Sequence, residues 1–195
     1  MTHFKTLLRR FLRAEDAAVS VEAAIMMPVL IVFAVASYTY FESYRRGATL
    51  TKTAYAMTDV ISRLDDPLTP RFIAGIEDMF EFVTGTDDDL LIRITQLRHE
   101  DGVLKLRWSH TNTGQDQLTQ ETLLLHLDHI PSLRPNEHLF VFEASALHMP
   151  AFNIGLPIRR AHAIVPSKTR SGFELEWDPT VLPQTADAAS AADPA

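Results

Sequence analysis

The chain has no cysteine among its 195 residues. Disulfide scaffolds, thiolate zinc sites and cysteine nucleophiles are therefore excluded. That absence fits an oxidising compartment without demonstrating one. Glycine is scarce: the 7 present are scattered, and no G-x-x-x-x-G-K-S/T loop exists to cradle a phosphate. Neither a G-x-S-x-G elbow nor an H-E-x-x-H pair occurs. No repeat with a period of about 20–50 residues is visible, which excludes a solenoid. Basic residues are few outside the N-terminus. The net charge is −7, yet the first thirteen residues hold Lys5, Arg9, Arg10 and Arg13 and no acid, leaving −11 on the rest. Such a body lacks the basic face that meets nucleic-acid phosphates, so no nucleic-acid partner is expected.

What is present is a folding composition, 46% hydrophobic and 22% charged, long enough for one modest domain plus an appendage. The appendage is at the start. Ala23 to Phe41 contains no charged residue and is bracketed by Glu22 and Glu42. As a helix it spans roughly 28 Å, against about 30 Å for the hydrocarbon core of a bilayer. Tyr38, Tyr40, Phe41 and Tyr44 gather at its end, where amphipathic rings favour the headgroup level. A buried core helix is the bland alternative, but such helices rarely read apolar on every face. Four cations precede the span; Arg45, Arg46 and Lys52 follow it. The basic tail reads as the cytoplasmic end, with the long acidic body translocated.

Two processing routes fit this run. One is a secretory signal peptide cut after Ala34-Val35-Ala36. The other is a retained anchor behind a short leader. Glu15 and Asp16 after the arginines, Glu22 at the mouth of the run and Pro28 inside it count against the first. Glu22 requires its own explanation. A carboxylate drawn to the bilayer centre costs about 2.5–3.5 kcal/mol. It is either solvated among headgroups or paired with a cation, and cutting four residues upstream would supply one, the α-amine of Ala18.

The segment Arg13-Ala14-Glu15-Asp16-Ala17-Ala18-Val19-Ser20-Val21-Glu22-Ala23, with Pro28-Val29-Leu30 in the apolar run, resembles the N-terminus of TadE-like pseudopilins of the tight-adherence (Tad/Flp) pilus. The resemblance implies cleavage by a prepilin peptidase between Ala17 and Ala18. Glu22 then becomes the fifth mature residue, the position that pilin-like proteins reserve for glutamate, and Ala18 a methylation site. The family usually has Gly where Ala17 stands and often an aromatic where Ala23 stands. The strong match covers about thirty residues; beyond them only the layout is similar. Longer TadG-like relatives share the pattern, but 195 residues is short for them.

Beyond Phe41 the helix is expected to continue. Leu50, Ala54, Met57, Ile61 and Leu64 recur at spacings of four and three. A helix from Val19 to Leu64 would run roughly 68 Å. Asp65-Asp66-Pro67 ends it. Thr69 and Pro70 read as N-cap and first turn of a second helix carrying Phe72, Ile73, Ile76, Met79, Phe80 and Val83, closed by Gly85. Leu90, Ile92 and Ile94 alternate, as do Leu104, Leu106 and Trp108, around Asp101-Gly102, the tight-hairpin dipeptide. Ser109 to Gln120 reads as loop, and Leu123 to Leu127 as ambiguous. Leu139 to Leu147 reads as a strand. Ala161–Val165 and Phe173–Trp177 read as a closing strand pair. The tail from Pro183 has a disordered composition.

Little in this body suggests chemistry. His126 and His129 with Asp128 have ligand-like spacing but no third ligand, so surface histidines are the default and no metal is expected. Asp87-Asp88-Asp89 lacks the calcium-loop spacing and reads as a solvated turn. Ser145 and Ser171 lack the context of an activated nucleophile. Phe140, Phe142 and Phe152 line either a pocket or, more ordinarily, the core. Arg159-Arg160 is either a solvated edge or a contact for an acidic neighbour.

The expectation is an α+β protein: leader 1–17, membrane and extended helix 18–64, periplasmic domain 65–182 with a small antiparallel sheet, and tail 183–195. It is not expected to be an enzyme or to carry a cofactor. Ala23, Ala24, Ala34 and Ala36 would let neighbouring helices approach closely. The resemblance implies a single-pass inner-membrane minor pilin, with a prepilin peptidase, other pilin and pseudopilin subunits and the assembly platform as partners, besides membrane lipid. A secreted binding or hydrolytic domain, or an anchored envelope scaffold, is the alternative.

Overall fold

The computed structural model describes residues 15–85, 89–115, 117–123, 130–150, 152, 155 and 157–182, with side chains from Val19. The leader through Ala14, the His126–His129 pair and the tail from Pro183 lie outside the described residues. The fold is α+β: the described residues form two long helices and one four-stranded antiparallel sheet. Among the described residues the chain forms two compact units. One is the part up to Tyr44 with Pro150–Pro157; the other is Arg45–Met149 with the part from Ile158.

The first helix, α1, runs unbroken over Glu15–Ser62 with Pro28 and Gly47 inside it. Its buried threonines are satisfied by their own helix. Thr39 donates to the Val35 carbonyl at 2.8 Å, and Thr53 and Thr58 bond back likewise. They therefore sit in apolar surroundings without an orphaned hydroxyl. From Arg45 onward the helix belongs to the second unit, and Leu50, Ala54, Met57 and Ile61 are buried there. The predicted stripe is that buried face.

The second helix, α2, covers Pro70–Thr84. The Thr69 hydroxyl accepts from the Phe72 amide, and Gly85 takes φ 62° while its N–H bonds the Glu81 carbonyl. Only glycine adopts that left-handed cap without strain. The buried face is narrower than the sequence suggests. Ile73, Ile76 and Phe80 are buried, whereas Met79 and Val83 are exposed. Phe80 packs on Phe142 with ring centroids 6.4 Å apart.

The strands are β1 Leu91–Glu100, β2 Val103–Thr111, β3 His138–His148 and β4 Arg159–Ser167, in the order β2-β1-β3-β4. Asp101 and Gly102 have φ 53° and 80°, the double left-handed geometry of a tight hairpin. Ser109 to Thr111, read as loop, extend β2 instead, because Arg93 to Thr95 pair with them. A short helix, α3, Gln120–Leu123, lies in the long β2–β3 connection. The Gln120 amide bonds both the Leu106 N–H and the Leu104 carbonyl, so one side chain occupies the free edge of β2.

Both sheet faces are covered. Ile92, Ile94, Phe140, Phe142 and Ala144 pack beneath the helices. Leu97, Leu139 and Val141 pack against Leu118 and Leu123 on the opposite face. Burying both faces is why β3 reads as a near-continuous apolar run.

The expected strand pair of Ala161–Val165 with Phe173–Trp177 does not form. β4 pairs with β3 over its whole length, from Phe140 opposite Ser167 to His148 opposite Arg159. Residues 174–178 instead cross as a strap. The Leu68 amide bonds the Glu176 carbonyl, the Asp178 amide bonds the Leu68 carbonyl, and Trp108 Nε1 donates to the Leu175 carbonyl.

Candidate functional site

The residues singled out from the sequence lie on α1. From Val19 to Ala34 every side chain is exposed, including Val29, Leu30, Ile31, Val32 and Phe33. An isolated chain in water would not leave such a surface uncovered. This helix is long and apolar enough to cross a membrane. Ala17 and Ala18 have helical backbone, and Glu22 lies exposed four residues past Ala18. That spacing is one turn, so an amine freed at Ala18 would lie on the face of Glu22. Ala23, Ala24 and Ala34 are exposed and Ala36 partly so. Pro28, exposed too, cannot donate to the Ala24 carbonyl.

The second unit holds a polar arrangement that the strand patterns had not revealed. Arg93 on β1 grips Glu143 on β3 through two bonds, Nε to Oε2 and Nη2 to Oε1. Register places the two residues directly opposite. The Glu143 side chain is 6% exposed and that of Arg93 13%. His162 approaches Glu143 at 3.8 Å from the neighbouring strand. A cleft of about 810 Å³ is lined by Arg93 and His162 but not by Glu143, together with Asp89, Gln115, Ser145 and Arg160. Ser145 stands opposite His162 in the register. The Glu143 carboxylate is committed to Arg93, however, and 3.8 Å exceeds a hydrogen bond, so the geometry is that of a structural ion pair. The signal in sequence was an arginine and a glutamate, each interrupting an apolar strand.

Arg160 bonds the carbonyl and carboxylate of Asp89 within its own chain. Phe140 and Phe142 are core, whereas Phe152 is 48% exposed, outside any core. Among the described residues no group of three or more His, Asp or Glu is placed to hold a metal ion. Comparison with protein-family models, with curated proteins and with solved structures finds no match.

Acid sensitivity is localised. The His110 ring stacks on Trp177 at 4.1 Å, and burial pushes its pKa below the ordinary value. The unfolded chain then binds the proton more readily, so stability falls as pH drops below about 6.5. Hydrogen bonds from Arg63, Lys105 and Lys168 hold Asp59, Glu100 and Glu137 below the usual carboxylate range. Their stabilisation is present at neutral pH and is lost in turn below about pH 4.5. A melting-temperature profile should therefore decline in two stages, and His110→Phe should remove the upper one. An upper stage that survives the substitution contradicts this assignment.

Proposed function

We propose that this chain is a TadE-like, membrane-anchored minor pilin or pseudopilin that takes part in assembling Tad/Flp pili. The observation that carries the reading is one continuous helix with two characters. Its first part is apolar and exposed; its second is the packed spine of an α+β domain. The apolar part anchors the subunit in the bacterial inner membrane, N-terminus cytoplasmic, until it packs beside other pilin helices. Prepilin peptidase cleavage before Ala18 would free an amine one turn from Glu22. In the low dielectric of lipid, that amine, from the same or a neighbouring subunit, neutralises the carboxylate and sets axial register. The small residues Ala23, Ala24, Ala34 and Ala36 permit close helix approach.

Mass spectrometry of the mature N-terminus tests this reading. A start at Ala18 supports it, a start at Ser37 makes the chain a secreted domain, and an intact Met1 leaves a plain anchor. Glu22→Ala should insert normally yet be depleted several-fold from sheared filaments relative to the membrane pool. Normal incorporation would remove the register role.

A further inference from the structure

The two edges of the sheet are treated differently. At β2 the Gln120 side chain occupies the edge beside Leu104 and Leu106. Along the outer edge of β4 no strand pairs among the described residues. The ladder fixes which groups that edge presents. Ile92 turns both its N–H and its carbonyl towards Asn112, just past the end of β2. Successive residues of a strand alternate in direction, so Arg93 turns to β3, where it stands opposite Glu143. Ala144 then turns to β4 and meets Ala163. By the same alternation Arg160 and Ile164 turn away from β3, with N–H and carbonyl outward. Pro166 falls in that outward set, where its missing N–H costs the ladder nothing.

The charge along this edge has one sign. β4 opens on Arg159 and Arg160, which point to opposite faces of the sheet, and it holds no acid. Both arginines are exposed. Arg160 meets Asp89 at 3.3 Å, but the two side chains are 45% and 56% exposed. A surface pair of that kind is exchanged for another carboxylate at little cost. Arg160 and His162 also line the cleft of about 810 Å³, so the cleft reaches this strand. From Ala161 to Val165 there is neither proline nor glycine. Charges on a free edge ordinarily repel a further strand. That protection holds against a second β4, which brings no carboxylate, and fails against an acidic strand.

We propose that the outer edge of β4 is a strand-addition site for an extended, acidic segment of another protein. The main chain of that segment bonds Arg160 and Ile164 and supplies the affinity. Its carboxylates meet Arg159 and Arg160, and a side chain on the cleft face enters the space beside Arg160 and His162; these contacts supply the specificity. The site lies wholly within the second unit, so it does not rest on the anchor reading above.

The test titrates the full-length protein, in detergent micelles, with the fluorescein-labelled peptide Glu-Glu-Val-Thr-Val-Thr-Val-Glu-Glu. The expected result is saturable binding that weakens about tenfold or more with Arg160→Glu, or with lysine at each acidic position of the peptide. Of two peptide versions N-methylated at alternate residues, one should bind and the other fail, because only one set of peptide N–H groups faces β4. The peptide should slow amide exchange at Ile164 and leave Ala163 and Val165, which turn to β3, unchanged. Absence of saturable binding, or equal binding of the acidic and basic peptides, overturns the proposal. Binding by both N-methylated versions overturns it too, since no strand has then been added. Protection of Ile164 that grows with protein concentration, without peptide, assigns the edge to a second copy and overturns it as well. None of these outcomes bears on the mature N-terminus, so the anchor reading stands or falls separately.

Discussion

Glu143→Ala is expected to cost the folded domain about 3–5 kcal/mol, because it strands the Arg93 guanidinium on a side chain only 13% exposed. Global stabilities of domains are about 5–15 kcal/mol, so a large part of the population would unfold near physiological temperature. The loss is not the worth of the pair. Removing both charges, as in Arg93→Met with Glu143→Leu, should restore most of the stability, since two desolvated ions are exchanged for apolar contacts. Denaturant titration of the full chain in detergent, read by near-ultraviolet dichroism of Trp108 and Trp177, measures both. A single variant within about 1 kcal/mol of the parent would mean that water reaches Arg93 and the pair is not structural.

The second large effect is at Phe80. This ring is fully buried and meets Phe142 at the junction of α2 and the sheet. Phe80→Ala should cost about 3–5 kcal/mol through lost transfer energy and the cavity left behind. Phe82, two residues on, is 88% exposed. Phe82→Ala should change stability by no more than about 0.5 kcal/mol. The same denaturation experiment separates them. Equal losses at the two positions would mean that the exposed end of α2 is covered in the assembled protein.

Much of this fold was legible because its signals are local. Periodicity marked the buried stripe from Leu50 to Ile61. Thr69, Pro70 and Gly85 bounded α2 through capping chemistry that depends on neighbouring residues alone. Asp101-Gly102 announced its hairpin through the backbone angles that it tolerates. The candidate assembly residues were legible for a similar reason: Glu22 is conspicuous against an uncharged run whichever way the chain folds.

Other features depended on contacts distant in sequence. The Phe173–Trp177 segment alternates like a strand, but the outer edge of β4 is not where it goes. Leu68 and Trp108 hold it elsewhere, and no local rule encodes which edge a segment finds. Met79 and Val83 lie on the apolar side of α2, yet packing buries Ile73, Ile76 and Phe80 and leaves these two exposed. Arg93 and Glu143 are fifty positions apart, and only strand register made them a pair. Composition, spacing and caps thus determined the elements, the apolar helix and the Glu22 carboxylate at its mouth. The tertiary structure alone decided the strand order and the ion pair, because each is a choice among partners that propensity leaves equivalent and packing does not.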